Sequence, residues 1–234
     1  ETVNPKRSIE LAGDVVEAVN MGAGRRVSAK EHVRRLCMIG GMTESKSRLV
    51  VTELFSPPRV DTTIAAEKPA GLRHGTSFDL QEDETTGESW NFLNAGDRRR
   101  CWRRLVQEDP WVVIGSPPCT AFSALNTGLN KSRGDPVKRE KQMTEARVLL
   151  AFAASVYEWQ ARRGRYFVHE HPLTASSWKT FEIERIRGMD GVTTVTADAC
   201  MFGMTAEEGG REGPVKKPTR WMSNAPTLLR HLNV

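Results

Sequence analysis

Residues 111–114 read Trp-Val-Val-Ile and run directly into Gly115-Ser-Pro-Pro118. An apolar run without alternation predicts a strand buried on both faces, as in a parallel sheet covered by helices. Proline lacks the N–H that a sheet ladder needs, so the chain must leave the sheet there with a fixed backbone. Further strand signals lie at Leu49–Phe55, halted by Ser56-Pro-Pro58, and at Thr76–Leu80, Tyr166–Val168, Val192–Ala197 and Arg220–Ser223. Residues 138–163 predict the longest helix, with Leu149, Phe152, Ala153, Val156 and Trp159 on one face and Gly164 as its stop. A shorter helix fits Trp178–Ile186. Strands alternating with helices predict an open, mostly parallel, twisted α/β sheet with helices on both faces. Ligands of such sheets gather at the carboxyl ends of the strands. Three unusual segments fall there: Ser56-Pro-Pro-Arg59, Gly115–Ser123 and His169-Glu-His-Pro172.

The first 45 residues read differently. Helical stretches near Ile9–Val19 and Ala29–Met38 flank the Gly-rich segment 21–26, which divides the chain into an N-terminal helical segment, 1–45, and one large domain, 46–234. The chain does not start with Met, so we expect a piece of a longer polypeptide. The longest apolar run, Val148–Ala154, is far shorter than the ~20 residues of a membrane span. No apolar stretch follows the basic residues of the N-terminus, so secretion is not expected. Cysteines at 37, 101, 119 and 200 match no Cys-x-x-Cys pattern, and free thiols in a reducing compartment are the expectation. The net charge of +5 permits a polyanionic partner without requiring one.

The chemistry-bearing segments each admit two readings. Cys119, on a rigid loop after a buried strand, is either a nucleophile or a small buried hydrophobe. Glu170 at a strand end, before Pro172, is either a proton-sharing carboxylate or a surface Glu. A strand throws His169 and His171 to one face and Glu170 to the other, and no third ligand is in sight, so no metal site is expected. Lys216-Lys-Pro-Thr-Arg220 opens a strand that either holds a phosphate or is a lysine-guarded edge. The segment 209–214 is loop by composition. Lys131 and Arg133, in the polar loop 126–136, either track phosphate or decorate a surface loop, and Arg98–Arg100 with Arg103 and Arg104 form a basic cluster on one helix, either phosphate-binding or solvated.

Taken in order, these segments carry a resemblance. Pro117-Pro-Cys-Thr-Ala-Phe-Ser123 resembles the nucleophile loop of DNA (cytosine-5-)methyltransferases, usually Pro-Pro-Cys-Gln-x-Phe-Ser. Glu170 with Pro172 is similar to the Glu-Asn-Val or Glu-Asn-Pro element of that family, and Glu53-Leu-Phe55 to its Asp-Leu-Phe. Cys200-Met-Phe-Gly203 and Lys217-Pro-Thr-Arg-Trp-Met-Ser-Asn224 resemble the Lys-Pro-Thr segment of short phage and retrotransposon members. The matches span about 49–224.

The resemblance implies a Rossmann-like class I S-adenosylmethionine-dependent methyltransferase fold and methyl transfer to carbon 5 of cytosine in DNA. It implies Cys119 as nucleophile, Glu170 as the residue that holds ring nitrogen 3, and Arg220, or Lys217, as the supporting cation. It further implies S-adenosylmethionine held by Glu53, Phe55, Asp79, Asn91 and Pro117, and nucleic acid contacted by Ser123, Lys131, Arg133 and Lys217. A duplex substrate would present its cytosine flipped out of the stack. A retroelement origin implies the nucleus, and a bacterial or phage origin the cytoplasm.

Two departures matter. The family's Gly-rich loop after Asp-Leu-Phe is here Ser56-Pro-Pro-Arg59, which removes backbone donors, and the chain ends ten residues after Asn224 without the family's target-recognition region. The competing readings are an RNA or nucleotide cytosine methyltransferase, and a retroelement-derived nucleic-acid-binding domain without turnover.

Overall fold

The computed structural model describes residues 49–67, 71–83, 86–123, 135–208 and 211–233. The expected helices at 9–19 and 29–38, Lys131 and Arg133 lie outside the described residues. In chain order the elements are β1 (Leu49–Leu54), α1 (Val60–Glu67), β2 (Leu72–Phe78), α2 (Ala95–Glu108), β3 (Val112–Gly115), α3 (Pro136–Arg162), β4 (Tyr166–Pro172), α4 (Phe181–Arg187), β5 (Thr193–Asp198), β6 (Thr205–Glu208), β7 (Arg211–Pro214), β8 (Pro218–Ser223) and α5 (Pro226–Leu232).

Six strands form one sheet in the order β2-β1-β3-β4-β8-β5, and β6 with β7 forms a separate hairpin. β1 pairs in parallel with β2 and β3, and β3 with β4, whereas β8 runs antiparallel to both β4 and β5. The fold is thus a Rossmann-like α/β sheet with a single reversed strand. Its switch point lies between β1 and β3, where the chain first winds to one side and then to the other.

Alternate side chains of the central strands feed two cores. Val113, Phe167 and Met222 enter one core with α3 residues Leu150, Ala153, Val156 and Tyr157. Val112 and Val168 enter the other with Val60 and Ile64 of α1 and Leu228, Leu229 and Leu232 of α5. Helices therefore cover both faces, and β3 reads as a continuous apolar run because neither face meets water.

The ends of α3 follow local rules. Asp135 caps its first turn by accepting from the Val137 N–H at 2.9 Å, with Pro136 at the first helical position. Gly164, at φ 66°, takes the left-handed conformation just past its end. Buried Gln160 donates to the carbonyls of Pro110 and Tyr166 at 3.1 and 3.0 Å, tying the helix to the starts of β3 and β4.

Two expectations need correction. The segment assigned to loop by composition contains β7, paired with β6 as Thr205↔Pro214 to Glu208↔Arg211. Its residues carry no strand propensity, so pairing alone makes it a strand. β8 is not an edge strand guarded by lysines, because β4 and β5 cover both its sides. The helices α1 and α5 were not anticipated.

Gly115 closes β3 against Tyr157, whose hydroxyl lies 2.1 Å from where a Cβ at position 115 would sit. We expect Gly115→Ala to lower stability by roughly 1–3 kcal/mol in urea unfolding, as overpacking of a close-packed core does. Adding Tyr157→Phe to Gly115→Ala should recover part of that loss, since the nearest clashing atom is then gone.

Candidate active site

The loop that follows β3 is built residue by residue. The Ser116 N–H still donates to the Leu54 carbonyl at 3.1 Å, extending the parallel pairing one step beyond Gly115. Pro117 is buried and Pro118 exposed, and the chain then enters a 3₁₀ turn at Thr120–Phe122. Cys119 precedes that turn at φ −94° and ψ −8°, in the sparsely allowed bridge region common among active-site residues. Its carbonyl accepts from the Phe122 N–H at 2.9 Å, and its side chain is half-buried. Cys101, in contrast, is fully buried on α2, and burial, aided by Glu108, pushes its thiol pKa up and leaves it inert.

β4 delivers the second group. Gly115 pairs with His169, so β3 ends level with His169 and β4 runs on through Glu170 to Pro172 alongside the loop. His169 and His171 go to one face, buried with ring centroids 4.8 Å apart, and Glu170 goes to the other. His171 Nε2 lies 2.7 Å from the Pro117 carbonyl and Nδ1 lies 2.6 Å from the Ser177 hydroxyl. A carbonyl only accepts, so Nε2 carries the proton and neutral Nδ1 accepts from Ser177. Burial pulls the His171 pKa down to about 4, against the opposing pull of the Pro117 carbonyl. His169 is held neutral by the same burial, with Nδ1 3.2 Å from the Tyr157 hydroxyl.

Glu170 lies next to the start of the loop. Burial pushes its carboxyl pKa up, while Lys217, the Ser116 hydroxyl and Arg59 pull it down. Arg220 is differently placed. It pairs with His171 across β4 and β8 and Glu170 pairs with Trp221, so Arg220 and Glu170 leave the sheet on opposite faces. The Arg220 guanidinium sits over the Trp178 ring, 5.2 Å from its centroid. Lys217 is the cation whose charge acts most on Glu170. Ser123, half-buried, follows the 3₁₀ turn.

Of the residues expected to hold S-adenosylmethionine, Glu53, Phe55, Asp79 and Pro117 lie at the carboxyl ends of β1, β2 and β3, and Asn91 lies in the segment between β2 and α2. Phe55 follows β1 at φ 61°, a strained left-handed conformation for an aromatic residue, with its ring edge-on to Phe92 at 5.1 Å. Asp79 follows β2, half-buried, one oxygen accepting from the Gln81 N–H at 2.8 Å. Asn91 is exposed, and its Oδ1 accepts from the Leu93 N–H at 3.1 Å. A carboxylate, Asp79, and an aromatic pair, Phe55 and Phe92, thus stand at this edge, groups of the kind that the hydroxyls and base of a nucleoside would need.

The amino-acid end fits less well. Glu53 is buried, and its Oε2 accepts from the N–H groups of Arg59 and Val60 at 2.9 Å each, while the Ser56 hydroxyl donates to its Oε1 at 3.1 Å. The chain's own carboxylate therefore occupies the amides at the start of α1, and the adjoining prolines offer none. Exposed Arg59 is the cation at hand.

The α2 arginines hold their own neighbourhood. Arg98 donates to the carbonyls of Phe92 (2.5 Å) and Leu93 (3.0 Å), Arg100 donates to the Ser89 carbonyl at 2.6 Å and lies over Trp90, and Arg104 pairs with Glu88 at 3.6 Å. These contacts shape the segment that carries Asn91. Sequence reasoning passed over Ser116, Arg59, Ser176 and Ser177. Arg59 was legible as the one charged residue of a Pro-Pro turn, whereas nothing local marks the serines. Among the described residues, no three of His, Cys, Asp or Glu gather as a metal site, and no helix is long and apolar enough to cross a membrane.

The depressed pKa of His171 makes stability depend on pH. Its neutral form adds stability above the ordinary value of 6.5, and this is lost as the pH falls toward about 4. We expect the urea midpoint to fall over that window by an amount corresponding to roughly 3 kcal/mol, with a smaller fall in His171→Asn.

No family model matches the sequence, and no curated protein matches it. Among solved structures, a methyltransferase from Entamoeba histolytica is similar at 12% identity and a TM-score of 0.41. That alignment covers 76% of this chain and 53% of the neighbour, so the chain spans about half the neighbour's length.

Proposed function

We propose that this chain is an S-adenosylmethionine-dependent methyltransferase, of the class I fold, that methylates carbon 5 of cytosine in DNA through a covalent adduct with Cys119. The observation that carries the reading is the pairing of β3 with β4. The proline-fixed loop that carries half-buried Cys119 leaves β3 next to β4, the strand that carries Glu170, a carboxyl group whose pKa burial raises.

Carbon 5 of cytosine is a weak nucleophile. The Cys119 thiolate adds its electron pair to carbon 6, and Glu170 delivers a proton to ring nitrogen 3, so the electron density gathers at carbon 5. A carboxyl group with a raised pKa suits that donation, because it holds its proton nearer to neutral pH. When bound, S-adenosylmethionine supplies the methyl group as an electrophile. Water then takes the proton from carbon 5, the bond from carbon 6 to sulfur breaks to release the Cys119 thiolate, and ring nitrogen 3 returns its proton to Glu170, which restores the ring. Asp79 and Phe55 would hold the nucleoside end of the cofactor and Arg59 its carboxylate. Lys217, exposed beside Glu170, would face the pyrimidine or a phosphate, and Ser123, Lys131 and Arg133 the DNA backbone.

A second reading, a nucleic-acid-binding domain without turnover, is favoured by one observation. Glu53 already takes the amides at the start of α1 that an anionic ligand would use.

Tritiated methyl transfer to unmodified duplex DNA tests the reaction. Label should enter DNA with the wild type and vanish in Cys119→Ala, and DNA carrying 5-fluorocytosine should form a stable adduct that Cys119→Ser abolishes. An absence of both label and adduct, with no thermal shift on adding S-adenosylmethionine, would leave the binding domain as the reading. Glu170→Gln should lower kcat by roughly 10²–10⁴-fold, the usual range for a lost proton donor.

A further inference from the structure

We propose that the 3₁₀ turn Ser176–Lys179 is a two-point brace on the nucleophile loop, in which Ser176, Ser177 and His171 are positioning residues that set where Cys119 stands. The inference rests on the reading of Cys119 as the nucleophile. Ser176 donates its hydroxyl to the Phe122 carbonyl at 3.2 Å. Ser177 acts through a relay: its hydroxyl meets His171 Nδ1 at 2.6 Å, and His171 Nε2 donates to the Pro117 carbonyl at 2.7 Å. The two anchored carbonyls bracket Cys119, two residues before it and three after it.

The turn is itself held firmly. Trp178 Nε1 donates to the Pro172 carbonyl at 2.8 Å, the Ala175 N–H donates to the same carbonyl at 3.0 Å, and the Thr180 hydroxyl donates to the Ser177 carbonyl at 2.8 Å. The brace thus transmits the position of β4 to the loop. A loop containing Pro117 and Pro118 has few backbone donors with which to hold itself, so side chains from elsewhere must fix its carbonyls. Ser177 is fully buried, a site where an apolar side chain would serve packing equally well, yet a hydroxyl stands there and is paired with a histidine. Fixing a reacting group ahead of encounter is what lowers the entropic part of a barrier.

The test compares Ser176→Ala, Ser177→Ala, His171→Asn and His171→Leu with the wild type in two measurements. One is kcat and KM for methyl transfer to duplex DNA. The other is backbone hydrogen exchange of residues 119–123 against that of β3 and β4. Each serine variant is expected to lower kcat about tenfold with KM changed less than about twofold, and to speed exchange in the loop about tenfold while the strands keep their protection. His171→Asn, whose amide both donates and accepts, is expected to stay closer to the wild type than His171→Leu. Unchanged loop exchange in both serine variants overturns the brace, as does exchange that speeds equally in the strands. A wild type that transfers no methyl group defeats the proposed function, while the exchange measurement, which needs no turnover, still decides the brace.

Discussion

The Tyr157 phenol, carried by α3, meets β3 and β4 at once. Its ring stacks on Phe167 at 4.9 Å, its hydroxyl lies 3.2 Å from His169 Nδ1, and it fills the space that a side chain at position 115 would need. Burial pushes its pKa up, so the phenol stays protonated. α3, β3 and β4 are therefore locked in one register. A slip of one residue would turn Glu170 to the face of the histidines and separate His171 from Pro117. The position of the Cys119 loop relative to the strand that carries Glu170 depends on that register, because the loop follows β3 and Glu170 lies on β4.

Charge at this edge is largely spent within the chain. Glu53 caps the start of α1, a role a carboxylate fills well because it faces unpaired amides and the positive end of the helix. Arg98, Arg100 and Arg104 hold the segment 88–93. These three arginines are thus held by their own neighbours, and Lys217 and Arg59 stand where the chemistry is proposed.

Much of the architecture is legible in local pattern. The buried runs at 49–54 and 112–115 mark strands, Asp135-Pro136 and Gly164 mark the ends of α3, and the alternation of His169, Glu170 and His171 appears on the strand as read. α1 is less legible. Its sequence, Val-Asp-Thr-Thr-Ile-Ala-Ala-Glu, is poor in strong helix formers, and its cap comes from Glu53, seven residues before Val60. The hairpin β6–β7 lacks β-branched and aromatic residues beyond Thr205, and only cross-strand pairing defines it. α5 carries a readable signal, Pro226 followed by Leu228, Leu229 and Leu232, that was passed over.

The sequence by itself determined the class of fold, the alternation of the central strands with α3 and α4, and the loop and strand on which Cys119 and Glu170 sit, because burial period and proline act within a few residues. The tertiary structure decided which partners these groups meet. It turned β8 antiparallel into the sheet's interior, set Arg220 over Trp178 and away from the Glu170 face, placed Lys217 and Arg59 in the field of Glu170, and brought Ser176 and Ser177 to the nucleophile loop. Those pairings join residues that lie about 20 to 110 positions apart, and only the register of packed strands, not any local pattern, selects among them.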